Sequence, residues 1–148
     1  MLESIYLDRE IGVMNSTSLK AAGLKITEPR IRILELLSTQ SDRHHSAEDI
    51  YAQMKEVDAT LSLATIYRVL TQFEAAGLVI RHNFETGHSV YELNEGEHHD
   101  HLVCVKCRVV IEFHDNVIEE RQLAIAREHG FEVTDHSLNI YGVCAACL

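Results

Sequence analysis

The sequence predicts an α+β protein: an N-terminal winged helix-turn-helix over residues 14–93, a short hinge at 94–96, and a small α/β domain over 97–148. Two observations predict the first part. Three short runs carry apolar residues at helical spacing with brief turns between them, and two β-prone runs joined by a Gly turn follow directly. A third observation predicts the second part, where β-prone runs flank one helical stretch.

Each element has a local reason. Leu24-Lys25-Ile26-Thr27-Glu28-Pro29 ends one short helix and begins another, because Pro is favoured at the first helical position. From Arg30 to Leu37 the residues Ile31, Ile33, Leu34 and Leu37 make one apolar face, with Arg30 and Arg32 off it. Ser46-Ala47-Glu48-Asp49 opens the next helix with a capping hydroxyl and acid in the first turn, and Ile50, Met54 and Val57 are expected to face inward. Ser62 caps a third helix, Leu63 to Ala76, which Gly77 ends. The runs 78–84 and 88–93, joined by Glu85-Thr86-Gly87, then form a hairpin, and a hairpin after a three-helix unit is a wing. In the second part the stretch 97–101 reads as extended, 109–113 as a strand, 116–129 as a helix ended by Gly130, and 132–141 as a long strand.

Composition narrows the class. A chain of 148 residues with 46% hydrophobic content can bury a real core. No apolar run approaches the roughly 20 residues of a membrane span, and residues 1–13 lack the apolar stretch of a secretory signal. A cytoplasmic protein without a membrane partner is expected, with 1–13 an extension of unreadable role and Met14 a second natural start. The formal charge of −10 argues against a nucleic-acid partner until its distribution is considered. Residues 14–90 carry eight Lys and Arg against nine Asp and Glu, a net of −1, whereas 91–148 carry four against eleven, a net of −7. The acid lies among potential metal ligands, where divalent ions would neutralise much of it.

The densest chemistry is Glu97-His98-His99-Asp100-His101, followed by Cys104-Val105-Lys106-Cys107. In an extended chain side chains alternate, so His98 and Asp100 point one way and His99 and His101 the other, and one strand feeds two metal sites. Cys104 and Cys107 pair in sequence pattern with Cys144 and Cys147. A redox motif accounts for one Cys-x-x-Cys; two in a reducing compartment point to a structural Zn(II) ion held by four thiolates, clamping the final strand to the first strand of its domain. In the helix 63–76, Ile66, Val69, Leu70 and Phe73 take the core face. Ala64, Thr65, Tyr67, Arg68 and Gln72 lie opposite, which suits either a solvated face or a recognition helix offering a ring and a guanidinium to a major groove.

With these motifs the chain resembles the ferric uptake regulator family of metal-dependent bacterial transcription factors. The resemblance rests on residues 22–30 (Ala-Gly-Leu-Lys-Ile-Thr-Glu-Pro-Arg), 45–49 (His-Ser-Ala-Glu-Asp), 64–70 (Ala-Thr-Ile-Tyr-Arg-Val-Leu), 98–102 (His-His-Asp-His-Leu) and both cysteine pairs, and it covers Leu19 to Cys147. It implies a DNA-binding winged helix, a C-terminal dimerisation domain and metal-controlled repression. Tyr67 and Arg68 would read bases with Thr65 beside them, Lys25 would enter the minor groove, and Arg30 would hold phosphate. His44, Glu92, His99, His101 and Glu112 would form a regulatory site across the hinge. His98, Asp100, Glu119 and His136 would form a second site within the dimerisation domain. His45 is read as a surface residue, and His82, His88, His114 and His129 receive no role.

An imidazole and carboxylate set suits Fe(II), Zn(II), Mn(II) or Co(II). Fe(II) is expected as co-repressor, replaceable by the other three in vitro. Peroxide-sensing relatives typically place Asp where this chain has Glu92 and Glu112, and zinc-uptake regulators tend to use a cysteine beyond the two pairs, which is absent here. The expected partners are a double-stranded operator and a second copy of the chain, with a tetramer as the larger alternative. The competing classes are a peroxide- or zinc-responsive regulator, a zinc or manganese hydrolase, and a zinc-ribbon interaction module. A hydrolase needs an open coordination position, a general base and a substrate pocket, while each His and acid invoked above already has a ligand role.

Overall fold

The computed structural model describes residues 16–39 and 44–148, so the reading of residues 1–13 lies outside the described residues. The chain divides into two compact units between Glu95 and Gly96.

The first unit runs from α1, described over 16–21, through α2 (Glu28–Thr39), α3 (Ala47–Met54) and α4 (Leu63–Ala75) to a hairpin of β1 (Val79–Asn83) and β2 (Ser89–Leu93). Side-chain caps set the helix starts. Ser46 and Asp49 form a reciprocal capping box at α3, and the Thr65 N–H donates to Ser62 Oγ at α4. Gly77, at φ 75°, supplies the left-handed residue that turns the chain from α4 into β1. β1 and β2 pair antiparallel, with Val79 opposite Leu93 and Asn83 opposite Ser89. The core gathers one face of each helix: Leu19, Ile33, Leu34, Leu37, Ile50, Met54, Ile66, Val69, Leu70 and Phe73, closed by Val79 and Tyr91 from the hairpin.

Val57 departs from expectation: it is 68% exposed. α3 stops at Met54, and Asp58 turns the chain by accepting from both the backbone N–H and the hydroxyl of Thr60. Leu61 is the next buried apolar residue after this turn. His45 departs too. It is only 4% exposed, because its backbone exchanges two hydrogen bonds with Tyr91 and so extends the hairpin edge.

The second unit consists of β3 (Asp100–Cys104), β4 (Val110–Phe113), α5 (Asn116–Glu128), β5 (Asn139–Gly142) and a 3-10 turn at Ala145–Cys147. β3 is the central strand, antiparallel to β4 and parallel to β5, a mixed sheet in the order β4-β3-β5. Asp115 caps α5 by accepting from the N–H groups of Val117 and Ile118. The long strand expected over 132–141 is reduced to Asn139–Gly142. Ladder partners exist only where β5 meets β3. Before that the chain is tied to other groups, Phe131 N–H to the Ala126 carbonyl and the His136 side chain to Glu119.

Candidate nucleic-acid face and metal-ligand clusters

Burying Ile66, Val69, Leu70 and Phe73 turns the opposite face of α4 outward. Ala64, Tyr67 and Arg68 are exposed there, and Thr65 and Gln72 are half-buried. The Arg68 side chain makes no hydrogen bond or ion pair among the described residues. Thr65 lies at the helix start, its hydroxyl 2.9 Å from Ser62 Oγ. Tyr67 donates its phenol to Glu48 Oε1 on α3 at 2.6 Å, and that bond, helped by partial burial, pushes the phenol up to about 12. Arg30 faces inward more than a pure phosphate contact would. Its guanidinium donates to the Lys25 carbonyl at 2.7 Å and to Gln72 Oε1 at 2.6 Å, tying the Lys25 turn to α4. Glu48 and Gln72 are therefore parts of this face that the linear sequence did not single out as bonding partners.

All four cysteines are free thiols, and their sulfurs lie within 4.8 Å of one another. The parallel pairing of Cys104 with Gly142 brings Cys144 beside Cys104. A tight turn, closed by Arg108 N–H to the Cys104 carbonyl with Arg108 at φ 66°, folds Cys107 back toward them. Cys107 Sγ and Cys144 Sγ are 3.7 Å apart. Tetrahedral zinc with Zn–S near 2.3 Å separates its sulfurs by about 3.8 Å, so the set fits that ion. The thiols already differ. Backbone N–H groups of Cys144 and Cys107 directed at Cys104 hold it down to about 6, whereas hydrogen bonds from Cys147 to Cys144 and Cys107 push Cys147 up to about 12.

In the same unit His98, Glu119 and His136 converge within 4.8 Å. His136 Nε2 is 2.6 Å from Glu119 Oε2, and His98 Nε2 is 3.1 Å from Glu119 Oε1 and 3.2 Å from Asp100 Oδ1. Burial works to raise the Glu119 carboxyl, but the His136 hydrogen bond and the nearby His98 and His136 charges bring it below its ordinary value. Asp100 is fully buried and its Oδ2 has no hydrogen-bond partner among the described residues. Asp100 thus meets this three-residue cluster through His98, and a buried carboxylate with one engaged oxygen beside an imidazole fits a divalent cation.

The remaining donors fall in two sets, one in each unit. In the first, Glu92 is buried in β2 and receives two imidazoles, His44 Nε2 at 3.1 Å and His82 Nε2 at 2.7 Å. In the second, the His99 and His101 rings meet edge to face at 5.0 Å, and His99 Nε2 lies 3.6 Å from Glu112, the residue opposite His101 in the β3–β4 ladder. His101 Nδ1 lies 3.2 Å from Asn139 Oδ1, an acceptor that orients the ring through Nδ1, as a second-sphere group does for a metal-binding imidazole. His82 and Asn139 had no role in the sequence reading. His82 was accessible to it: the hairpin register puts Ile80 opposite Glu92, so His82 is the diagonal neighbour of Glu92 on the same face.

The model of the ferric uptake regulator family matches residues 21–141, most of the chain. The chain belongs to the ferric uptake regulator family. A ferric uptake regulation protein of Legionella pneumophila is 61% identical over 132 residues, covering 89% of this chain and 97% of that protein. Among solved structures, the Vibrio cholerae ferric uptake regulator, whose crystal structure reveals rearrangement of its DNA-binding domains, matches with a TM-score of 0.82 at 52% identity over 88% of this chain and 99% of its own. The regulator from Francisella tularensis with iron matches with a TM-score of 0.80 at 45% identity over 84% and 95% of the two chains. As a member of this family the chain is a metal-dependent transcriptional repressor of the iron-responsive group and not an enzyme. The hydrolase reading falls with this membership. No helix among the described residues is long and apolar enough to cross a membrane.

Proposed function

We propose that this regulator represses iron-acquisition genes from the cytoplasm as a homodimer on an AT-rich inverted-repeat operator, with Fe(II) as its co-repressor. The observation that carries this reading is the division of donors: His44, His82 and Glu92 form a compact partial set in the first unit, and His99, His101 and Glu112 form another in the second. Each set alone is small for an ion that takes up to six ligands, and the chain between Glu92 and His99 is short. Fe(II) held by both sets would neutralise charge and tie the units together. His44 and Glu92 would then link the DNA-reading unit to His99 and His101, and the metal-loaded form would favour the operator by differential binding. The rearranged DNA-binding domains of the Vibrio cholerae relative support units that can take more than one orientation, and the iron of the Francisella tularensis relative supports the metal. Zn(II) in the four-cysteine set would be structural. The set of His98, Asp100, Glu119 and His136 would brace the second unit. Zn(II), Mn(II) and Co(II) suit the same donors as Fe(II) and are expected to replace it in vitro.

Dimer formation is supported by the uncovered apolar surface of the second unit. Leu102, Ile111 and Ile140 lie side by side across its three strands, and each is at least 39% exposed. For DNA, Tyr67 and Arg68 on α4 are the base-reading side chains of this proposal, Lys25 the minor-groove one. Arg30 holds the Lys25 turn to α4 in addition to any phosphate contact. The test is an anoxic Fe(II) titration of His44→Ala and His99→Ala. Both substitutions should abolish the same binding event, although they sit in different units. Loss in one variant and full retention in the other would show that the two sets do not share an ion.

A further inference from the structure

The contact between Glu48 and Tyr67 links the face of α4 to an acidic side chain in the first turn of α3. Asp49 is engaged in the capping box of α3, its carboxylate accepting from the Ser46 N–H, so the acid one residue earlier is the one left to meet α4. Glu48 Oε1 accepts the Tyr67 hydroxyl at 2.6 Å, the length of a charge-assisted O–H···O⁻ bond. Both residues are exposed, as is Arg68. An acidic group on a surface meant for DNA lowers affinity for any duplex by repulsion from phosphates.

We propose that Glu48 is a specificity-determining positioning residue: by accepting the hydrogen bond of the Tyr67 hydroxyl it withholds that donor from backbone phosphates and presents to the bases only the ring and a hydroxyl lone pair. This rests on α4 being the DNA-reading helix. A free tyrosine hydroxyl beside a duplex has an easy, sequence-blind use, donation to a phosphate oxygen. With its proton committed to a carboxylate, the same side chain contacts a thymine methyl through its ring or accepts from a base amino group, both of which depend on sequence. The carboxylate repels phosphate wherever the protein lands, while the base contact is made only on the right sequence. Glu48 thus costs random DNA more than operator, which is how an unfavourable group raises discrimination. The same bond, with partial burial, pushes the phenol up to about 12.

The experiment uses the full-length, Mn(II)-loaded protein, a duplex enriched from a random pool by the wild type, and a scrambled duplex of equal composition. Failure of the pool to yield any preferred sequence would sink the reading of α4, and this inference with it. Given a preferred duplex, Glu48→Ala should tighten binding to the scrambled duplex and reduce the preferred-to-scrambled ratio by about tenfold, the scale of one base contact. Glu48→Gln, which keeps an acceptor in place, should hold the ratio within about twofold. In a Tyr67→Phe background, Glu48→Ala should leave the ratio unchanged, because there is no hydroxyl to direct. Phenol absorbance, referenced to Tyr67→Phe, should show Tyr67 returning to about 10 in Glu48→Ala. An unchanged ratio in Glu48→Ala overturns the proposal while leaving the reading of α4 intact. So does an equal loss in the Tyr67→Phe background, which would make Glu48 act through its own charge alone.

Discussion

The two units of this chain reach stability by different routes. The first closes a core of fully buried side chains from four helices and a hairpin, with Leu19, Ile33, Ile50, Ile66, Leu70 and Phe73 all at 0% exposure. The second is a three-stranded sheet and one helix in which α5 buries none of its residues, while Phe131 is 71% and Ile111 is 51% exposed. What the second unit lacks in apolar burial it has in ligands: a four-thiol set, a cluster around Glu119, and the pair His99 and His101. Under the proposed function, a packed core would hold α4 rigid toward DNA, and donors with an open apolar face would suit a unit that takes metal and joins a second copy.

The contrast can be broken at the metal end first. Replacing Cys104 by Ser removes the thiol that accepts N–H groups from both Cys107 and Cys144. Structural zinc contributes apparent binding energies of about 10–16 kcal/mol in small domains, so the second unit should lose its fold and its zinc. Calorimetry should then show the melting of the first unit almost unchanged. A single transition lowered for the whole chain would mean that the units are not independent.

At the core end, Phe73→Ala should destabilise the first unit by about 3–5 kcal/mol through loss of burial and the cavity left behind. That loss should be the same with zinc present or chelated, read by denaturant unfolding. At the apolar face, Leu102→Asp or Ile111→Asp should leave the secondary structure of the chain intact, since both residues are already exposed. Each should weaken self-association by about 1.5–3 kcal/mol, the value of one buried aliphatic side chain, measured by sedimentation equilibrium. Unfolding of the second unit instead would assign these residues to its own core.

Much of this contrast was legible in the sequence, and for definite reasons. Ser46, Ser62 and Gly77 mark helix ends by local hydrogen bonding and backbone freedom, and the inward faces of α2 and α4 follow from spacing alone. The alternation of His98 through His101 needs only an extended chain; it persists although β3 begins at Asp100. What was not legible depends on partners remote in the chain. The stretch 132–137 has strand-like residues but pairs with no strand among the described residues, so bonding to β3 begins only at the Leu138 carbonyl and the ladder is confined to Asn139–Gly142. His45 looked like surface because nothing local announces its bridge to Tyr91. The contacts Glu48–Tyr67 and Arg30–Gln72 span 19 and 42 residues of sequence, and only the packing of the helices brings them together.

The most direct test of the account is operator affinity under anoxic conditions with and without Fe(II). The metal-loaded protein should bind its operator at least about a hundredfold more tightly than the metal-free protein with zinc still in its cysteine set, a coupling of about 2.7 kcal/mol. Equal affinity of the two forms would contradict the proposed control of operator binding by Fe(II).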